Sequence, residues 1–405
     1  MTTTVDPHTD SFHLSQLLYD SRYRSLTIQV IAMIGLVGAA AWLISNTIVN
    51  LEALGKDFSF AFLGERAGYE INQTLIQYSP DSTNFRAAMV GLLNTLLVSA
   101  MGCVLATIIG VIAGVLRLSK NWLTAKIMAV YVESFRNIPV LLWIFAFFAV
   151  LSEGTPSPRA FKGDNATASM LFNDSVAITN RGTFFPAPLF NDGSSVVVIV
   201  FILSIVGMFL FSRYAKQRQA ATGQILPTFW INLGIFIIPS LLVFFIMGRP
   251  ISLSYPELKG FNFSGGTNFR NSLIALWLAL SFYTGAFIAE NVRAGILSVS
   301  RGQTEAAYAL GLRPGVTMNL VILPQALRVI VPPLISQYLN LTKNSSLALA
   351  VGYMDLRSTL GGITLNQTGR ELECMLLMML IYLVVSLVIS GSMNVYNNSV
   401  KLKER

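Results

Sequence analysis

Residues 298–324 read SVSRGQTEAAYALGLRPGVTMNLVILP. The stretch is too polar to cross a membrane and too regular to be a plain loop. Ser300 stands where a helix N-cap is expected, and Gln303 three residues on completes the pattern of a capping box. Residues 301–310 are good helix formers and predict a short helix. Gly311 ends it, and Pro314 prevents continuation. A second short helix, about 314–323, leads to Pro324. The expected unit is a compact helix–turn–helix with a small apolar face at Ala306, Ala307 and Leu310. Two readings fit it: a docking element for a partner protein, or an amphipathic connector lying on the lipid surface.

On both sides of this unit the chain is strongly apolar. Of 405 residues, 53% are hydrophobic and only 12% charged, against about 25% charged in an average soluble domain. Most of the length therefore cannot face water, which disfavours a soluble enzyme, a secreted module and a disordered protein together. A helix needs ~20 apolar residues to cross the bilayer core. Eight stretches qualify: about 26–49, 88–116, 127–151, 195–212, 228–248, 271–294, 329–351 and 374–396. The first has no small-residue cleavage signature and reads as an uncleaved span.

The basic residues orient these spans. With the N-terminus inside, the inner segments hold 15 basic and 5 acidic residues and the outer segments 11 and 13. This is the positive-inside bias, and an even span count puts both termini in the cytoplasm. The formal net charge of +8 follows from topology. No basic patch stands apart from membrane ends, so no nucleic-acid partner is expected. The outer stretches 50–87 and 152–194 are rich in Asn, Ser, Thr, Gly and Pro and read as ordered or semi-ordered loops, with an Asn-X-Ser/Thr triplet at Asn165 of the kind an Asn-rich loop gives by chance.

The chemistry missing from the sequence narrows the function. The two cysteines, Cys103 and Cys374, sit in apolar runs, and the two histidines, His8 and His13, lie in the polar N-terminal tail. They make no metal-ligand cluster and no histidine-based catalytic centre. There is no Gly-x-x-x-x-Gly-Lys-Ser/Thr phosphate loop; Gly55-Lys56-Asp57 lacks both the upstream Gly and the hydroxyl residue. No catalytic residue, metal or cofactor is expected in this chain. Gly110 and Gly114 form one Gly-x-x-x-Gly, which fits either close helix approach or the ordinary glycine content of a membrane helix.

Glu305-Ala306-Ala307, then Gly311, then Val321-Ile322-Leu323-Pro324, resemble the EAA loop of ATP-binding-cassette importer permeases; Val321 stands where Ile is usual. Further stretches resemble the polar amino acid permease branch: Gly91-Leu92-Leu93-Asn94-Thr95-Leu96, Phe135-Arg136-Asn137-Ile138-Pro139 breaking the third span, Phe282 through Glu290 with Arg293 through Ile296, and Thr342-Lys343-Asn344-Ser345-Ser346-Leu347. The resemblance covers about 88–151 and 271–398. The size and layout of 152–270 are similar to those of the larger permeases of general L-amino-acid uptake systems in Gram-negative bacteria. It implies an all-α polytopic membrane protein of about eight transmembrane helices, with a type I ABC importer permease core and an insert carrying two extra helices. The parts are then 1–87 (tail, first helix, outer loop), 88–151 (first core part), 152–270 (insert), 271–398 (second core part, with the EAA loop at 300–324) and 399–405 (cytoplasmic tail). It also implies coupling through Glu305, Ala306, Ala307, Gly311 and Pro324 to a separate ATPase subunit that holds ATP and Mg, a second homologous permease, a periplasmic solute-binding protein, surrounding membrane lipid, and placement in the bacterial inner membrane. A secondary amino acid transporter would need no ATPase and would leave the 305–324 pattern unexplained; a non-transporting scaffold would leave the buried charges without a role.

Ionisable residues at membrane depth cost at least ~2.5 kcal/mol, so they face protein or water. Glu133 and Arg136 are three apart and share a helix face, as do Glu290 and Arg293. Each pair reads either as an ion pair that holds packing or an inner gate, or as a substrate contact. Lys343 lies ~20 Å along its helix, among Thr342, Asn344, Ser345 and Ser346. A lysine with hydroxyls suits a carboxylate, and Glu290 or Glu133 suits an ammonium. The other reading pairs Lys343 with a carboxylate of a neighbouring helix. The family forms permease dimers, so a site at a dimer interface would take only half of its groups from this chain.

Overall fold

In a computed structural model the described residues are 21–53, 55, 57–163 and 166–400. His8, His13, Lys56, Asn165 and the basic residues of 401–405 lie outside them. Among the described residues are eight segments long and apolar enough to cross a membrane. Helix α1 (Ser21–Ala53) buries none of its apolar window against the rest of the chain.

Helix α2 (Asn84–Leu116) is capped by Thr83, whose hydroxyl accepts from the Arg86 amide at 3.2 Å. The third apolar segment starts later than the expected 127–151, at Val140. Helix α3 (Trp122–Asn137) stops and α4 (Val140–Glu153) begins because Ile138 and Pro139 are extended, with ψ of 133° and 136°. Proline lacks an N–H and disfavours helix in the residue before it. Phe282 touches both sides of the break, with ring centroids 5.8 Å from both Phe135 and Phe147.

Helices α5 (Ser194–Thr222) and α6 (Thr228–Ile246) are the two extra spans. They pack on each other through the Phe201–Phe236 ring pair and a 2.9 Å bond from Asn232 Nδ2 to Ser212 Oγ. The segments flanking them are more ordered than their composition suggests. They form three small antiparallel sheets from β1 (Ala177–Thr179), β2 (Gly182–Phe185), β3 (Ala187–Phe190), β4 (Ile251–Ser254), β5 (Glu257–Lys259), β6 (Asn262–Ser264) and β7 (Thr267–Phe269). Sheet orders are β1-β2-β7, β3-β4 and β5-β6. Thr183 faces Phe269 and Ala187 faces Ser254, so strands from before and after the hairpin pair with each other. Asn271 Nδ2 donates to the carbonyls of Leu151 and Thr179 and ties this unit to the core.

Helix α7 (Asn271–Leu297) is the centre of the core and packs most extensively on α2. The glycines at 110 and 114 make this approach possible. A Cβ at Gly110 would lie 2.5 Å from Ile288 side-chain atoms, and one at Gly114 would lie 2.6 Å from the Ala289 carbonyl and 2.8 Å from Val292 Cβ. Small residues let helices pack closely where lipid offers no hydrophobic drive between them.

Beyond α7, helix α8 (Arg301–Ala309) is followed by a turn over Pro314–Thr317 and a π-turn over Met318–Ile322 that runs into α9 (Leu323–Asn344). The expected second short helix is thus the wound start of the seventh span, and Pro324, which has no N–H to give to the helix, directly follows the π-turn. A run of short helical pieces, Ser345–Val351, Leu356–Ser358, Thr359–Thr364 and Leu365–Thr368, connects α9 to the last helix, α10 (Glu371–Val400). The segment before α2 folds over it, with the Tyr69 and Thr364 hydroxyls 3.0 Å apart.

Gly114→Leu is expected to wedge α2 from α7 and to destabilise the protein by at least ~1–3 kcal/mol. The check is thermal unfolding in detergent beside Gly35→Leu, whose position has no neighbour within 4 Å. The first should lower the midpoint and the second should not.

Candidate functional site

Where α2, α3 and α7 end together, the Glu290 carboxylate of α7 gathers three guanidinium groups. Arg293, one turn on, donates from Nη2 at 2.7 Å and from Nε at 3.2 Å. Arg117, just past the end of α2, donates to the other oxygen. Arg136, in the last turn of α3, lies 3.9 Å away and also sits over the Phe287 ring at 5.3 Å. One carboxylate thus joins the ends of three helices, and the cluster keeps two uncompensated positive charges. The side chain of Arg117 is 15% exposed and that of Glu290 24%, so the attraction is screened less than on an open surface.

The expected Glu133–Arg136 pair does not form. Glu133 is exposed, and Arg136 turns to Glu290. Arg117 is the member that sequence reasoning missed: it counted only as a basic residue at a span end, because its partner is 173 positions away.

Helix α8 is held by backbone more than by side chains. Ser300 makes no side-chain cap bond; the Gln303 amide bonds its carbonyl at 3.1 Å. Instead of completing a capping box, Gln303 Oε1 accepts from Gln325 Nε2 at 3.3 Å and links α8 to α9. At the other end, amides of Leu310, Gly311 and Leu312 return to the carbonyls of Ala306, Tyr308 and Ala307. Gly311 has φ +74°, the left-handed C-terminal conformation that glycine adopts without penalty. The expected apolar face divides: Ala307 is buried against the chain, while Glu305, Ala306 and Leu310 are exposed, Leu310 at 80%. Pro324 is exposed as well.

The cluster around Lys343 is arranged differently from expectation. Ser345 Oγ donates to the Thr342 carbonyl and Ser346 Oγ to the Lys343 carbonyl, each at 2.7 Å. Such back-bonding occupies the hydroxyl proton. Asn344 is half-buried. Lys343 is exposed, and among the described residues no carboxylate lies within ion-pairing distance of it. Glu290 and Lys343 are not brought together.

A second polar centre lies in the run of short helices between α9 and α10. Asp355 is fully buried and accepts from the Ser358 amide and hydroxyl at 2.9 Å. The Leu356 amide bonds Thr95 Oγ1 at 3.1 Å, and the Tyr353 hydroxyl bonds the Asn94 carbonyl at 3.0 Å. Burial pushes the Asp355 carboxyl up to about 6, partly offset by the Ser358 bonds. The available signal was the Asp-x-x-Ser spacing of an N-cap after Gly352. Among the described residues no group of three or more His, Cys, Asp or Glu could hold a metal.

The comparisons agree with this architecture. A family profile described as "Binding-protein-dependent transport system inner membrane component" matches residues 217–402. The chain is 57% identical to the glutamate/glutamine/aspartate/asparagine transport system permease protein BztB of Rhodobacter capsulatus, over 100% of each chain. It is 45% identical to the general L-amino acid transport system permease protein AapQ of Rhizobium johnstonii, over 99% of this chain and 98% of that one. It is 44% identical to the putative amino-acid ABC transporter permease protein YhdX of Escherichia coli, over 94% and 95%. The chain is a multi-pass ABC importer permease with a type I core. It belongs to the amino acid ABC transporter permease family.

Glu290→Gln leaves three guanidinium groups without a carboxylate. The expected loss of stability is on the order of 1–2 kcal/mol after discounting for partial exposure. Thermal unfolding should show the loss shrinking at high salt, with part of it restored in Glu290→Gln/Arg117→Gln.

Proposed function

We propose that this chain is the membrane subunit of an importer that carries acidic amino acids and their amides from the periplasm to the cytoplasm. The observation that carries the reading is full-length similarity to BztB, whose name gives that substrate set. The chain lacks a phosphate loop, so ATP is bound and hydrolysed, with Mg, in a partner ATPase. Two permease chains, this one and a second homologous one, enclose the path. A periplasmic solute-binding protein delivers substrate at the outer face, and the β-strand unit of the insert serves its docking or the assembly of the complex. Both termini are cytoplasmic, and inner-membrane lipid covers α1, α5 and α6.

Coupling runs through α8. It is short, closed by Gly311, and presents Glu305, Ala306 and Leu310 outward, so it moves as one body in an ATPase cleft. The Gln303–Gln325 bond and the π-turn carry that motion into α9, on which Lys343 lies. The Glu290 cluster holds the inner ends of α2, α3 and α7 as one side of the gate. Lys343, Asn344 and Ser346 line the substrate path, with Lys343 facing the carboxylate of the amino acid; Ser345 is fully buried and supports them from behind.

Gly311→Val forces a β-branched residue into the left-handed region, at a cost of ~1–2 kcal/mol. It should weaken ATPase attachment and lower uptake while the spans still insert. Co-purification of the ATPase beside uptake of labelled glutamate, competed by glutamine, aspartate and asparagine, checks both halves. Full ATPase retention with full uptake in Gly311→Val would remove the coupling role from α8, and competition by apolar amino acids alone would overturn the substrate class.

A further inference from the structure

The run of short helices between α9 and α10 holds a cation that the function as described leaves unused. Arg357 stands two residues after the buried Asp355, and its guanidinium donates to the Gly361 carbonyl. Among the described residues no carboxylate lies within ion-pairing distance of it. It borders a cavity of about 360 Å³, open to one side, whose other walls include Ser358, Asn366, Leu349, Leu365 and Met375. Gly361 has room for no side chain: a Cβ there would lie 2.6 Å from Met378 Sδ and 3.1 Å from Arg357 Nη1. The guanidinium is thus laid against bare backbone at the cavity wall. Asn366 uses its Nδ2 on the Gly362 carbonyl at 2.9 Å, which leaves Oδ1 as an acceptor.

We infer that this cavity is an amino acid subsite on the outer side of the path, where Arg357 takes the α-carboxylate. The inference rests on the amino acid importer reading above. A planar guanidinium pairs with a carboxylate through two parallel N–H bonds. Leu349, Leu365 and Met375 offer apolar surface to the methylene stem of the side chain. The Asn366 carboxamide oxygen accepts from the substrate ammonium. The cavity wall carries no carboxylate, so a substrate anion meets no like charge. Since every amino acid has the α-carboxylate, the subsite admits glutamate and glutamine alike, and selection among side chains is made elsewhere.

The test uses the full complex of both permeases and the ATPase in vesicles, supplied with saturating loaded binding protein. Arg357→Gln should lower uptake of labelled glutamate and of labelled glutamine alike by about tenfold, with the ATPase still attached. Arg357→Lys should keep a larger share of both. Asn366→Leu, at an exposed position, should lower both by removing the acceptor for the ammonium; it decides the matter if Arg357→Gln does not assemble. Undiminished uptake in an assembled Arg357→Gln complex, or in Asn366→Leu, would overturn the subsite. Loss confined to glutamate would overturn the α-carboxylate assignment. Each rate is compared in phosphatidylcholine vesicles with and without phosphatidylglycerol. A defect that appears only with the anionic lipid would make Arg357 a headgroup contact and overturn the subsite. A wild-type complex that carries neither amino acid would fail the importer reading itself; a competent wild type beside an equally active Arg357→Gln fails the subsite alone.

Discussion

The close approach of α2 and α7 is the contact on which the rest of this protein depends. Gly110 and Gly114 leave no space for a β-carbon against Ile288, Ala289 and Val292. In lipid, where apolar side chains gain nothing by meeting each other instead of acyl chains, this backbone proximity and its van der Waals contacts hold the pair. It also sets the chemistry: with α2 this near α7, Arg117 at the end of one reaches Glu290 on the other. Arg136 and Arg293 then complete a cluster that ties three helix ends. In the first half of α2, Asn94 and Thr95 fix the run of short helices between α9 and α10 through Tyr353 and Leu356, and so position Asp355 and Arg357.

Around this core the chain is loosely attached. α1 buries nothing along its apolar window, and α6 has no buried residue. The α5–α6 hairpin is organised through its own Asn232–Ser212 bond and through the strands at its ends. Its connection to the core passes through Asn271, which reaches back to α4 and β1. Such a division suits a transporter in which a rigid core moves with α8 while the peripheral helices stay in lipid.

The spans were legible because the bilayer imposes one simple rule, a run of apolar residues of fixed length. The break at Pro139 and the left-handed turn at Gly311 were legible because each follows from the local backbone. What escaped was non-local or competitive. The pairing of Thr183 with Phe269 joins segments separated by two spans, and short strands in Asn-rich loops carry little periodicity. Arg117 and Glu290 share no local pattern. The hydroxyls of Ser345 and Ser346 donate to the carbonyl one turn back, a local competition for the proton that residue types alone do not display. Gln303 had two possible partners, the Ser300 backbone amide and Gln325; the packing of α8 on α9 decides for the second.

An ATP-driven importer and an ion-driven one built on these helices differ in what supplies the work. The most direct measurement is accumulation of labelled glutamate in vesicles holding both permeases and the ATPase, with binding protein on the side of the outer face. ATP is placed on the ATPase side, and ionophores collapse every ion gradient. Accumulation that requires ATP and the ATPase and survives the ionophores is the predicted result. Accumulation that persists without ATP and disappears with the ionophores would contradict it.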